Sequence, residues 1–183
     1  MRIISGKYRG IRLQSPENDK IRPTTDRIKE DIFNIIAPYI YESDFLDLFA
    51  GSGAISIEAI SRGASSATLV EMDSQSIKLI NKNISIIKEK LFNIVRADVE
   101  KFLIATKNEY DIIFIDPPYK YENAEMLIKT ISDRKLLRED GILIVEQSDR
   151  SELAEEIGDF KRFKLKKCSS TKVYFYQYGD INE

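Results

Sequence analysis

Phe45-Leu-Asp-Leu-Phe-Ala-Gly-Ser-Gly53 is the stretch whose reading decides the fold. A short apolar run holding one acid, Asp47, breaks at two glycines one residue apart, and a helical pattern resumes at Ala54. That order is a strand, a tight turn and a helix start. Gly51 and Gly53 permit backbone angles closed to other residues and keep side chains out of the way, so a ligand can approach the main chain. Free N–H groups at the helix start favour a polar or anionic ligand. Alone, a Gly-x-Gly turn says little, and Asp47 read alone is a satisfied polar residue inside a sheet. Glu71 changes the balance: it ends the next apolar run, where α/β nucleotide-binding folds place an acid on a ribose hydroxyl. The dinucleotide fingerprint wants glycine or alanine three residues after Gly53, and Ser56 stands there, which counts against a nicotinamide or flavin cofactor.

Working outward, strands and helices alternate from Phe45 onward, the mark of a parallel sheet with crossover helices. Strands are expected over residues 45–49, 67–71, 93–96, 110–115 and 142–146. Helices are expected over 54–62 with Gly63 as the stop, after Asp73 along the stripe Ile77, Ile80, Ile84 and Ile87, from Asp98 to 106, over 123–132 and over 151–157. Residues 160–167 and 171–178 alternate apolar and polar around Ser169-Ser170, so an antiparallel hairpin closes the chain. Upstream, Arg2 to Leu13 reads as a small β-hairpin with Lys7, Tyr8 and Arg9 at its tip. Thr25 can cap a helix carrying Ile28, Ile32, Ile35 and Ile36, which Pro38 ends. The expectation is one α/β domain over 1–183: a hairpin and loop over 1–25, then a core over 26–183. Its mostly parallel sheet would have seven strands, with helices on both faces.

Whole-chain properties narrow the function. The 183 residues are 43% hydrophobic and 32% charged, an ordinary globular balance, and no run approaches membrane-spanning length. Cys168 is the only cysteine, so no internal disulfide forms and a cytoplasmic location is expected. Histidine is absent, which removes Ser-His-Asp and Cys-His catalysis and the common zinc sites. Net charge is −2, but residues 1–30 carry a net +4, and the stretch from Phe160 to Gly179 holds six Lys or Arg and no acid. Those two segments are either solvated strand faces or one phosphate-binding surface, depending on whether the fold unites them.

Asp116-Pro-Pro-Tyr119 stops the fourth strand abruptly. Prolines donate no hydrogen bond and restrict the residue before them, so Asp116 and Pro117 are held extended with outward carbonyls. Ligands of open α/β sheets bind beyond the carboxyl ends of strands where the strand order reverses. If strands one and four are neighbours at that reversal, Gly51 and Asp116 face one crevice.

Together these motifs resemble the class I S-adenosylmethionine-dependent methyltransferases, in which Asp-x-x-x-Gly-x-Gly binds the cofactor and Asn/Asp-Pro-Pro-Tyr presents an amino nitrogen to its methyl group. Arg2-Ile-Ile-Ser-Gly-Lys-Tyr-Arg-Gly10, Arg22-Pro-Thr-Thr-Asp-Arg27, the run from Asp47 through Ser61-Arg-Gly-Ala64, and Asp116-Pro-Pro-Tyr119 narrow the likeness. Over most of its length the chain resembles the bacterial 16S ribosomal RNA guanine-966 N2-methyltransferase family. Ser56 departs from a small residue associated with that family, a difference that touches helix packing more than chemistry.

The resemblance implies a Rossmann-like fold and a site. Asp47 and the loop Ala50, Gly51, Ser52, Gly53 would hold the methionine portion of S-adenosylmethionine, and Glu71, with Met72 beside it, the ribose. Asp98 would receive the adenine amino group, although as a plain helix cap it needs no ligand. Asp116 and the Pro117 carbonyl would accept the amine hydrogens of a guanine while Tyr119 stacks on the base. Arg2, Lys7, Arg9, Arg12 and Arg22 would contact 16S ribosomal RNA, within the small subunit or an assembly intermediate. A monomer without metal is expected. The residues leave open methylation of adenine N6 or of a protein glutamine amide, and a non-catalytic module that binds cofactor and RNA.

Overall fold

The computed structural model describes residues 1–16, 26–168 and 170–179. Two helices, α1 (Asp26–Ile35) and α2 (Ala37–Ile40), precede the sheet. Pro38 sits in the first turn of α2, where its missing N–H costs nothing, so the residue that stops one helix starts the next. There follow β1 (Asp44–Leu48), α3 (Ala54–Ser61), β2 (Ser66–Glu71), α4 (Ser74–Ile87), β3 (Phe92–Arg96), α5 (Val99–Ala105), β4 (Tyr110–Ile115) and α6 (Ala124–Asp133). The chain closes with β5 (Leu137–Ser148), β6 (Glu156–Ile157), β7 (Phe160–Cys168) and β8 (Thr171–Tyr178). Thr25, the expected helix cap, and Arg22 lie outside the described residues.

The strand order is β3-β2-β1-β4-β5-β8-β7-β6. The first five are parallel, and β8, β7 and β6 add antiparallel to one another and to β5. Strand residues alternate between two buried layers. Leu46, Leu48, Ile113, Ile115, Leu143 and Val145 face α5 and α6. Phe45, Ile112, Phe114, Ile142 and Ile144 face α1, α3 and the first part of α4. Burial on both faces explains why these strands read as nearly continuous apolar runs.

Two expectations need correction. The sheet has eight strands, not seven, because no helix forms over 151–157; residues 151–154 are irregular and β6 adds the eighth strand. The Ser151, Leu153 and Ala154 carbonyls accept instead from Lys172 Nζ, Tyr174 Oη, Arg162 and Tyr176 Oη, while the Ala154 N–H donates to Glu125. Side chains of α6, β7 and β8 thus take groups that a helix would pair with itself.

The N-terminal hairpin narrows to a single bridge, Arg2 with Arg12. Its tip is spent on α3: Ile4 and Ser5 N–H donate to Glu58 at 2.8 and 3.0 Å, Lys7 N–H to the Ser61 carbonyl at 2.7 Å, and Tyr8 N–H to Ser61 Oγ at 3.0 Å. Gly6 has φ +87°, and a Cβ there would meet the Ser61 carbonyl oxygen at 1.8 Å, so only glycine fits this docking. Glu58, fully buried, also receives Arg62 at 2.8 Å and Lys29 Nζ at 3.4 Å, which settles the hairpin, α1 and α3 on one carboxylate.

Candidate active site

β1 pairs with β2 on one side and with β4 on the other, so the strand order reverses between β1 and β4. Leu48 lies opposite Ile115, and the Asp116 N–H donates to the Leu48 carbonyl at 3.4 Å. The glycine turn and the double-proline turn therefore leave neighbouring strands at the same edge. They open onto one cleft of about 870 Å³, lined by Asp47, Ala50, Gly51, Ser52, Glu71, Asp116, Pro117 and Tyr119 among others. Phe49 and Tyr121 tie the two turns together, with ring centres 5.3 Å apart in an edge-on contact.

The turn after β1 is built from left-handed backbone: φ is +63° at Phe49, +56° at Gly51 and +76° at Gly53. A non-glycine residue in that region is uncommon and is held there by its surroundings. The Ala50 N–H donates to the Val70 carbonyl and the Gly53 N–H to the Ala50 carbonyl. The Gly51 N–H is not free, as the sequence suggested; it donates to Glu71 Oε2 at 2.9 Å. Glu71 Oε1 accepts from the N–H groups of Met72 and Asp73, each at 2.8 Å. Three of the roughly four acceptor positions of this carboxylate hold backbone, which leaves about one for a hydroxyl.

Asp47 is 2% exposed, and Ser56 Oγ donates to its Oδ2 at 2.7 Å. Burial lifts its pKa to about 7, against the opposing pull of the Ser56 hydrogen bonds. Ser56 thus does more than pack a helix: it holds the acid of the β1 motif. Gly53 starts α3 without lining the cleft, and exposed Met72 does not line it either. Asp98 also lies off the cleft and caps α5, accepting from Lys101 N–H at 3.1 Å.

Asp73, read from the sequence as the cap of the next helix, also lines the cleft, and Asn83, outside the lining but holding residues that form it, escaped the sequence reading. Asp73 caps α4, accepting from Ser76 N–H at 2.7 Å, and that bond holds its carboxyl below the usual range. Buried Asn83 accepts from Gln14 N–H and donates to the Gln14 and Ser52 carbonyls at 3.1 and 3.0 Å, fastening the N-terminal segment to the glycine turn. Its signal was a polar residue at helical spacing between Ile80 and Ile87 on a buried stripe. Through this tie Met1 and residues 14–16 form one side of the cleft.

The basic residues of the hairpin stand apart from the cleft. Arg2 is exposed and 3.4 Å from Asp26, Lys7 pairs with Glu89 at 2.7 Å, and Arg9 and Arg12 are exposed with no ion pair to a described residue. Helix α1 reaches both basic segments, Asp26 meeting Arg2 and Asp31 meeting Lys166 of β7 at 3.3 Å. No helix among the described residues is long and apolar enough to cross a membrane.

The model of the family described as Conserved hypothetical protein 95 matches residues 1–177. The chain belongs to that family. The Escherichia coli (strain K12) protein named ribosomal RNA small subunit methyltransferase D is 34% identical, over 97% of this chain and 89% of its own. YlbH of Bacillus subtilis (strain 168) is 38% identical over 97% and 98%. The solved structure of yhhF from Escherichia coli superposes with a TM-score of 0.87 at 35% identity over 97% of both chains. With membership the expected fold and enzyme class stand: this Conserved hypothetical protein 95 chain is a methyltransferase.

Proposed function

We propose that this chain transfers the methyl group of S-adenosylmethionine to the exocyclic N2 amine of a guanine in 16S ribosomal RNA, at position 966 by likeness to its family. The reading is of a single domain, with residues 1–25 meeting RNA and 26–183 carrying the chemistry. It acts as a monomer in the cytoplasm, on the small subunit or an assembly intermediate. The observation that carries it is the shared cleft, large enough for a nucleoside-bearing donor, with the glycine turn on one side and Asp116-Pro-Pro-Tyr119 on the other. The donor residues fit such a group: a buried acid at Asp47 for an amino group, and a backbone-held carboxylate at Glu71 for a ribose hydroxyl.

S-adenosylmethionine supplies a methyl group made electrophilic by its positive sulfur. Asp47, with Ala50, Gly51 and Ser52, would hold the amino-acid end and Glu71, with Met72 beside it, the ribose; Asp98, which caps α5 outside the cleft, would have to reach the adenine amino group from there. Asp116 and the Pro117 carbonyl accept the two hydrogens of the guanine amine and turn its lone pair toward the methyl. As the nitrogen becomes positive, the Asp116 carboxylate stabilises it and stands ready to take the displaced proton. Tyr119, 62% exposed, offers its ring to a base drawn out of its stack. Arg2, Lys7, Arg9, Arg12 and Arg22 contact phosphates, and α1, touching both basic segments, supports one continuous RNA surface.

Labelled methyl transfer to 16S RNA, followed by nucleoside digestion, should yield N2-methylguanosine. Asp116→Ala should keep cofactor affinity and lose about 10²- to 10³-fold in turnover. Equal product from variant and parent, or label only in adenosine or in protein, overturns the reading.

A further inference from the structure

Among the described residues only two buried side-chain polar atoms lack a hydrogen-bond partner, Tyr110 Oη and Gln147 Nε2. Unused buried donors are rare and call for an explanation. Tyr110 opens β4, at the end of that strand away from the cleft. Gln147 lies near the carboxyl end of β5 and lines the cleft. The parallel register of β4 with β5 runs Phe114 with Ile144 and Ile115 with Val145. The ladder ends at that pair; Pro117 and Gln147 each lie two residues beyond it, and both line the cleft that holds the proposed amine-binding pair. On its other side Gln147 is fixed by the β8 register opposite Lys172. Gln147 is half-buried, its spare amide nitrogen is itself buried, and it stands on the rigid strand next to the one whose turn would hold the base.

We propose that Gln147 reads the base: its carboxamide oxygen accepts from guanine N1–H and its nitrogen donates to O6, while Asp116 and Pro117 hold N2. This rests on the guanine-N2 reading above. The N1–H and O6 groups are adjacent on one ring edge, a donor beside an acceptor, and a carboxamide presents the matching acceptor and donor side by side. The last torsion of glutamine is broad, so the amide turns toward an arriving base with little strain. A purine that keeps the N2 amine but has a bare N1 and no O6 can satisfy only half of that amide. Asp-Pro-Pro-Tyr by itself accepts any amine, so it cannot supply this selectivity.

The test compares RNA carrying guanine with RNA carrying 2-aminopurine at the methylated position. 2-Aminopurine has the same exocyclic amine but no O6 and no N1–H. The parent should methylate guanine with a kcat/KM on the order of 10-fold or more above 2-aminopurine. Gln147→Met should lose most of its activity on guanine, little on 2-aminopurine, and bind cofactor as the parent does, so that the ratio falls toward one. A merely structural role would lower both substrates equally. The inference is overturned by a parent ratio near one, which needs no variant, or by an unchanged ratio in Gln147→Met or Gln147→Ala. A parent that makes no N2-methylguanosine from the guanine RNA refutes instead the reading on which this rests, and the inference with it.

Discussion

The two edges of the sheet treat their acids in opposite ways. At the amino edge Asp44 and Asp111 converge on Arg138, at 2.8 and 2.5 Å, and Ser66 donates to Asp44 as well. Asp44 is held below the usual carboxylate range by the Ser66 hydrogen bond and by Arg138. At the carboxyl edge Asp47, Glu71 and Asp73 are held by a hydroxyl and by backbone N–H groups, with no ion pair to a described cation. A cation would neutralise these acids and close the edge. Neutral donors fix their direction and leave their negative potential to a positively charged ligand. The same residue type at two ends of one strand, Asp44 and Asp47, therefore serves as a clasp in one place and a binding group in the other.

Asp47→Asn should break this contrast most visibly. The unfolded chain releases the Asp47 proton near the ordinary carboxylate value, whereas the fold keeps it to about 7. The parent therefore binds more protons folded than unfolded between those values. Its stability falls through this group as pH rises from about 4 to about 7, by up to about 4 kcal/mol. The difference between variant and parent in urea midpoints across pH 4–8 should trace that slope, with cofactor binding weakened in the variant. A flat difference would mean that the fold leaves the Asp47 proton affinity where the unfolded chain has it.

Glu71→Ala comes next. It leaves the N–H groups of Gly51, Met72 and Asp73 without their acceptor, at a cost of about 2 kcal/mol. Calorimetry should show a lower melting temperature together with weaker cofactor binding, and loss of only one of the two would separate the clamp from the ligand role. The smallest effect is expected at the amino edge. Arg138 is 41% exposed, so solvent screens its bridges, and Arg138→Met should cost about 1 kcal/mol, or about 2–4 °C in Tm. Methyl transfer should be unchanged; a loss of turnover there would dissolve the distinction between the edges.

Much of this was legible in the chain. The Phe45–Gly53 stretch, the alternation after it and the closing hairpin appear as read, because apolar period and glycine placement act over a few residues. Ser56 was legible as an odd residue but not as the partner of Asp47, since the turn between them had to bring α3 back over β1. The stretch at 151–157 failed for a related reason: its carbonyls found Lys172, Tyr174 and Tyr176 before they found one another.

Sequence alone determined the alternation of strands and helices from β1 to β5, the closing hairpin, the two loop motifs and the family resemblance, because each is written in residues that are close along the chain. Only the tertiary structure decided that β1 and β4 lie side by side, that Glu71 occupies the Gly51 N–H, that Asn83 fastens Gln14 to the glycine turn, and that the buried Nε2 of Gln147 is left without a partner. Those outcomes depend on which distant donors and acceptors the strand order brings within reach, and no local propensity carries that information.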